Sequence, residues 1–279
     1  MFHLAVAQVN RTSIYYETHG NGFPIFFIHG HGLTHEMFKL QIDFFSKEYQ
    51  VIVCDLRGNG KSGKLTQARS DIIETQCLDL ILLMNELRIG QAAFVGVSYG
   101  GLIVQHLAKH YKERVHSIII ADSFCRIESS TLAGKLQLAA AYCSWLVYFS
   151  PCELMLPAIR LSYQRWSQAY SEVRKGMLDK RPIELYKQRL AASQADYSEH
   201  LKTINQPALC LAGDFASFGI DCMKGVVTRL PGARMEIIPD ACDPSNLCQP
   251  DVFNKLVRQF LAEQLKCQEE STAGERRFG

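Results

Sequence analysis

The chain has 279 residues, 47% of them hydrophobic and 21% charged, with a formal net charge of +2. That length allows one substantial core with room for an inserted subdomain, and the near-neutral balance gives no reason to expect nucleic acid or an anionic membrane as partner. No apolar run approaches the roughly 20 residues of a spanning helix, and Met1–Val9 lacks a basic stretch leading into a long apolar core, so neither a membrane span nor a secretory signal is expected.

The first third alternates strand-like and helix-like segments. Leu4–Val9 and Ser13–Thr18 read as paired strands across a polar turn. Pro24–His29 (PIFFIH) is a fully apolar run of the kind buried on both faces. Glu36–Lys47 has helical spacing, Gln50–Cys54 returns as a strand, and Asp71–Leu87 carries the apolar stripe of an amphipathic helix. Strand Ala92–Val97, a helix from Gly101 and strand Val115–Ala121 continue the rhythm, which predicts a parallel sheet with helices on both faces. Between 124 and 201 no strand pattern occurs. That stretch is aromatic (Tyr142, Trp145, Tyr148, Phe149, Tyr163, Trp166, Tyr170), and prolines at 151, 157 and 182 divide it into about four helices. Strand Ala208–Ala212, helix Asp221–Leu230, strand Arg234–Ile238 and helix Asp251–Leu265 resume the alternation. The organisation predicted is a core of 1–123 and 202–267, a helical insertion at 124–201 and a flexible polar tail at 268–279.

Ten cysteines are scattered from Cys54 to Cys267 without a C-x-x-C pair, the pattern of buried reduced thiols in a cytoplasmic protein. Cys242 and Cys248 are near enough in sequence to pair in an oxidising compartment, which spacing alone does not establish.

The motif that carries chemistry is Gly96-Val97-Ser98-Tyr99-Gly100, a G-x-S-x-G nucleophile elbow between a strand and a helix. Two further patterns precede it: His29-Gly30-His31-Gly32 after one strand, and Asp55-Leu56-Arg57-Gly58-Asn59-Gly60-Lys61-Ser62 after the next. The second ends like a phosphate-binding loop, but Asp55 stands where that motif needs its first glycine. His29, His31 and His35 flank a tight glycine turn with no fourth ligand in view, so no metal is expected there, and no cofactor.

Order and spacing of these motifs together resemble the α/β-hydrolase family over nearly the whole chain, in its small capped esterase or lactonase-like branch. The resemblance implies a mostly parallel eight-stranded sheet flanked by helices, a helical cap inserted after the sixth strand, and a site at the strand C-termini. It also implies Ser98 as nucleophile and an oxyanion hole made by the backbone N–H groups of His31 and Tyr99. Two such donors are worth about 3 kcal/mol each to a developing oxyanion.

The family's triad follows the order serine, acid, histidine, with the acid three residues after a glycine beyond the seventh strand. Counting from Gly213 lands on Ala216, and the register between Ile238 and Gln249-Pro250 puts Asp243 at the histidine position. No histidine follows His200, itself read as a surface residue. Both partners are expected to be substituted. Asp214 is a candidate displaced acid, Asp122 at the end of the sixth strand an alternative acid, and His31 and His35 are candidate bases from the oxyanion loop. Tyr142, Trp145 and Trp166 are the cap aromatics expected at the pocket, together with His35.

Three functions stay open. One is a weak or rewired hydrolase of ester or lactone bonds in a small apolar substrate. Another is a catalytically silent small-molecule receptor, a pseudoenzyme on inherited scaffolding. The third is a non-hydrolytic lyase, isomerase or cyclase using the same pocket. The partner expected in each case is a small apolar molecule; oligomeric state is not legible.

Overall fold

Strands form where apolar residues run together, and their pairing order decides which loops meet. The structure, a computed structural model, describes residues 3–128 and 130–278. β1 (His3–Val9) and β2 (Thr12–His19) form an antiparallel hairpin with Val9 opposite Thr12. Its turn residues Asn10 and Arg11 both have positive φ, 48° and 58°, the handedness that matches strand twist. β3 (Pro24–Ile28), a 3-10 turn at His35–Phe38, α1 (Lys39–Phe45) and β4 (Gln50–Cys54) follow. Then come α2 (Ile72–Glu86), β5 (Ala92–Val97), α3 (Tyr99–His110) and β6 (Val115–Ala121).

The segment after β6 folds as α4 (Leu132–Cys143), α5 (Trp145–Phe149), α6 (Leu156–Tyr163), α7 (Ser167–Leu178) and α8 (Pro182–Gln194). β7 (Ala208–Gly213), α9 (Ser217–Val227), β8 (Arg234–Ile238), α10 (Ser245–Cys248) and α11 (Pro250–Phe278) complete the chain. The strands form an eight-stranded sheet in the order β1-β2-β4-β3-β5-β6-β7-β8. It is antiparallel at β1–β2 and β2–β4 and parallel elsewhere. This is the α/β-hydrolase fold.

Period-two alternation distributes the core. Phe26 and Ile28 of β3 and Phe94 of β5 face α2, α3 and α9, packing with Leu80, Leu102 and Met223. Ile25, Phe27, Val95 and Val97 face the other way, onto Phe38 and Phe45 and onto Phe253 and Phe260 of α11. Central β3 and β5 are buried on both faces, whereas edge strand β8 is mostly exposed.

Several boundaries differ from the sequence expectation for identifiable reasons. The segment expected as a helix over Glu36–Lys47 begins as a 3-10 turn and becomes α-helical only from Lys39. Pro157 and Pro182 fall at helix divisions, within the first turns of α6 and α8, because a proline there lacks only an N–H that has no helical partner. The insertion accordingly holds five α-helices among the described residues, not about four. The polar segment assigned to a tail carries α11 on to Phe278. The insertion closes at its base, where Arg126 bridges Asp196 and the Tyr197 N–H reaches the Cys125 C=O at 2.9 Å. Among the described residues no helix is long and apolar enough to cross a membrane.

Candidate active site

β3 and β5 are neighbours, with Ile28 opposite Gly96. The loop after β3 and the turn after β5 therefore emerge side by side at the C-terminal edge of the sheet, where open α/β sheets hold their ligands. Ser98 sits in that turn at φ 55°, ψ −114°, a conformation sparsely populated by residues with a side chain. The Ala121 C=O fixes it by accepting its N–H at 2.8 Å. Space demands the flanking glycines: a Cβ on Gly96 would lie 2.2 Å from the Gly100 oxygen, and one on Gly100 2.1 Å from the Ile28 oxygen. α3 begins at Tyr99, two residues earlier in the elbow than the helix read from Gly101. The Tyr99 N–H, at the head of the helix, has no intrahelical acceptor, whereas the Gly101 N–H donates to the Ser98 C=O at 3.0 Å. The Tyr99 side chain is buried, its hydroxyl donating to Gln76 Oε1 at 2.7 Å, so Tyr99 meets the site through its backbone.

Ser98 Oγ donates to Asp243 Oδ2 at 2.7 Å. Asp243 lies in the loop after β8, and its carbonyl accepts from the Tyr163 hydroxyl at 2.8 Å. The protein packed around its carboxyl, and next the negative charge of Asp122, push it up to about 7, against the Ser98 hydroxyl that favours the ionised form. Asp243 is nevertheless exposed and lines the cavity. Asp122 follows β6 at φ 50°. Its Oδ1 accepts the Gly213 N–H at 3.1 Å and its Oδ2 the Ser245 N–H at 2.7 Å, and burial pushes it up to about 6.

A cavity of about 150 Å³ opens over these groups, lined by Gly30, His31, Ser98, Tyr148, Tyr163 and Asp243. Val173, Met177 and Leu185 supply its apolar wall from the insertion. His31 Nε2 donates to the Leu185 C=O at 2.9 Å, which leaves Nδ1 bare. Burial lowers this imidazole to about 4, so it is neutral and a poor base at neutral pH. Its structural effect is to tie the oxyanion loop to α8.

Other candidates are held elsewhere. His35 is buried with Nδ1 2.6 Å from Asp55 Oδ1 and Nε2 3.2 Å from Glu17 Oε1, and it is not brought to Ser98. His29 donates from Nδ1 to the Gly30 C=O at 2.8 Å and accepts the Leu56 N–H on Nε2 at 3.0 Å, a fully engaged core histidine. Asp214 is exposed and accepts the Asp240 N–H at 2.7 Å, joining the loops after β7 and β8 instead of supplying an acid to the site. Ala216 is exposed at the head of α9. Tyr142 and Trp145 are 46% and 49% exposed. Trp166 is buried, with Nε1 donating to the Asp240 C=O at 2.9 Å. None of these three lines the cavity; Tyr148 and Tyr163 do. Both tyrosines were visible in the aromatic run, but short helices give no periodic signal for which face docks inward.

The Gly58–Ser62 turn holds no phosphate cradle. Asp55 accepts the Lys61 N–H at 2.8 Å and the His35 N–H at 2.8 Å, so a carboxylate fills the place a phosphate would take. Cys242 and Cys248 are free thiols with sulfurs 3.7 Å apart.

A strained serine at a strand-to-helix turn, first-turn amides beside it and a cavity under a helical insertion define the class. A family model for the alpha/beta hydrolase fold matches residues 24–174, and the chain belongs to that family. Among its relatives, 3-oxoadipate enol-lactonase 2 of Acinetobacter baylyi is 27% identical over 242 residues, covering 82% of this chain and 85% of the relative. The solved enol-lactonase from Burkholderia xenovorans LB400 superposes with a TM-score of 0.79 at 24% identity, over 92% of this chain and 100% of the other. A thermophilic esterase from Thermogutta terrifontis gives 0.79 at 23% identity, over 95% and 99%. These two structures share the fold.

Proposed function

We propose that this chain is a serine hydrolase of small apolar esters or lactones in which Asp243 is the base, with residues 124–201 as the lid. The observation that carries the reading is the 2.7 Å hydrogen bond from Ser98 Oγ to a carboxylate pushed up to about 7. An ordinary aspartate is too weak a base for a hydroxyl, but one with an affinity for protons near that of histidine is matched to neutral pH. Ser98 Oγ attacks the substrate carbonyl as Asp243 takes its proton, and the His31 and Tyr99 N–H groups receive the oxyanion. The carboxylic acid so formed returns the proton to the departing alkoxide. Water then repeats the sequence on the acyl-enzyme, with Asp243 again taking and returning one proton. Asp122 acts through charge: it keeps Asp243 basic while its own oxygens hold the loops after β7 and β8. A curated relative named as an enol-lactonase supports the lactone class.

A second reading, a silent receptor for a small apolar molecule, draws on Ala216 at the expected acid position and on the missing imidazole base. Fluorophosphonate labelling and p-nitrophenyl ester hydrolysis separate the two. The hydrolase reading predicts that wild type is labelled and turns over, and that Ser98→Ala loses labelling and about 10³-fold or more in rate. An inert wild type, with turnover only in an Ala216→Asp/Asp243→His double variant, favours the receptor.

A further inference from the structure

Outside this site, α2 and α3 pack against each other on one face of the sheet, and they bring Glu74, His106 and His110 together. His106 and His110 are one helical turn apart, and their rings stack with centroids 4.3 Å apart at 27°. The Glu74 carboxylate meets His106 Nε2 through one oxygen and accepts from the Tyr111 hydroxyl at 2.8 Å through the other. One nitrogen of each imidazole and one Glu74 oxygen all lie within 4.8 Å of one another. His106 and His110 sit about 12 and about 18 Å along α3 from Ser98, at 1.5 Å per residue.

We propose that Glu74, His106 and His110 form a binding site for a divalent transition cation of the zinc class, which staples α2 to α3 beneath the base of the insertion. Two features carry it. Two imidazoles four residues apart lie on the same side of a helix, and a carboxylate from the neighbouring helix completes a two-histidine, one-carboxylate set with its ligand atoms within 4.8 Å of one another. That set suits zinc, cobalt or nickel rather than calcium or magnesium. A supporting shell is also in place. His106 Nδ1 lies 3.0 Å from the Tyr197 hydroxyl, which can accept once Nε2 is metal-bound, and the Tyr111 hydroxyl holds the outer Glu74 oxygen. Binding displaces the proton between His106 Nε2 and Glu74. Glu74 and His110 are exposed, so the fourth position faces water. Tyr197 belongs to the strap that closes the insertion, which links the site mechanically to the lid.

The test is titration of the full-length reduced protein with Zn2+ by calorimetry, alongside His110→Ala and Glu74→Gln, with Co2+ spectra to identify the donors. The expected result is one tight equivalent in wild type, weakened at least about tenfold in each variant. Zn2+ should raise the melting temperature of wild type but not of His110→Ala, each compared with its own metal-free melt. The Co2+ spectrum should lack a sulfur charge-transfer band. Equal affinity in wild type and His110→Ala, a sulfur band at the tight site, or no binding below millimolar Zn2+ overturns the proposal.

Discussion

At the residue scale, the site turns on how two aspartates share one loop cluster. Asp122 is satisfied by backbone amides on both oxygens, whereas Asp243 has the Ser98 hydroxyl and the cavity. The consequence is a stability cost written into the site. Asp243 titrates near 7 in the folded protein against 3.8 for an ordinary aspartate, so the folded state holds more protons between those values. The stabilisation from the protonated form is complete below the unfolded value and is lost as pH rises through about 7. Asp243→Asn, neutral at every pH, is therefore expected to melt above wild type at pH 8, with the gap closing toward pH 5. Thermal melts across that range check it; a variant that melts lower at pH 8 contradicts the assignment. Ser98 was legible because an elbow needs its glycines, and Asp243 because the flanking strand and Gln249-Pro250 fix its register. Asp214 turns to the Asp240 N–H and does not line the cavity, since counting residues along a loop does not tell which way a carboxylate turns. The Asp122 carboxylate turns into the cluster because its backbone adopts positive φ after β6.

At the scale of elements, the elbow depends on how closely α3 approaches β3. A methyl on Gly100 would meet backbone oxygens of Ile28 and His29, at 2.1 and 3.0 Å, which cannot swing aside. Gly100→Ala should cost about 3 kcal/mol or more, read as a lower urea midpoint at unchanged slope. Gly90→Ala, with nothing within 4 Å, is the control expected to change little. The insertion is pinned to the core by directional contacts: His31 to the Leu185 carbonyl, Tyr163 to the Asp243 carbonyl, and Trp166 to the Asp240 carbonyl. Core strands were readable because continuous apolar runs such as PIFFI and AAFVGV fit only a sheet buried on both faces. The inward-facing residues of the helical segment after β6 were not. α4, α5 and α6 leave Leu132, Leu136, Leu146, Phe149 and Leu161 exposed, so hydrophobicity there does not mark the docked face.

At the scale of the molecule, strand order brings together residues far apart in sequence: the adjacency of β3, β5 and β6 sets Gly30, Ser98 and Asp122 along one edge. The hydrolase fold was recoverable from the order of motifs, since each marks the end of a particular strand. The thiols test the packing globally. All ten cysteines are free, and a buried thiol reacts only when exposed. Ellman titration of the native protein should find Cys143 and Cys267 reacting fast, with all ten reacting on unfolding without reductant. A shortfall in the unfolded protein would mean that a pair such as Cys242 and Cys248 is bonded.

The central claim is that Asp243 takes the proton from Ser98. The most direct measurement is the rate of p-nitrophenyl ester hydrolysis against pH for wild type and Asp243→Asn. The account predicts a wild-type rate that climbs with an apparent pKa near 7. In Asp243→Asn it predicts a rate lower by about 10²-fold or more with that limb gone. A variant that keeps both the rate and the pH profile of wild type would contradict it.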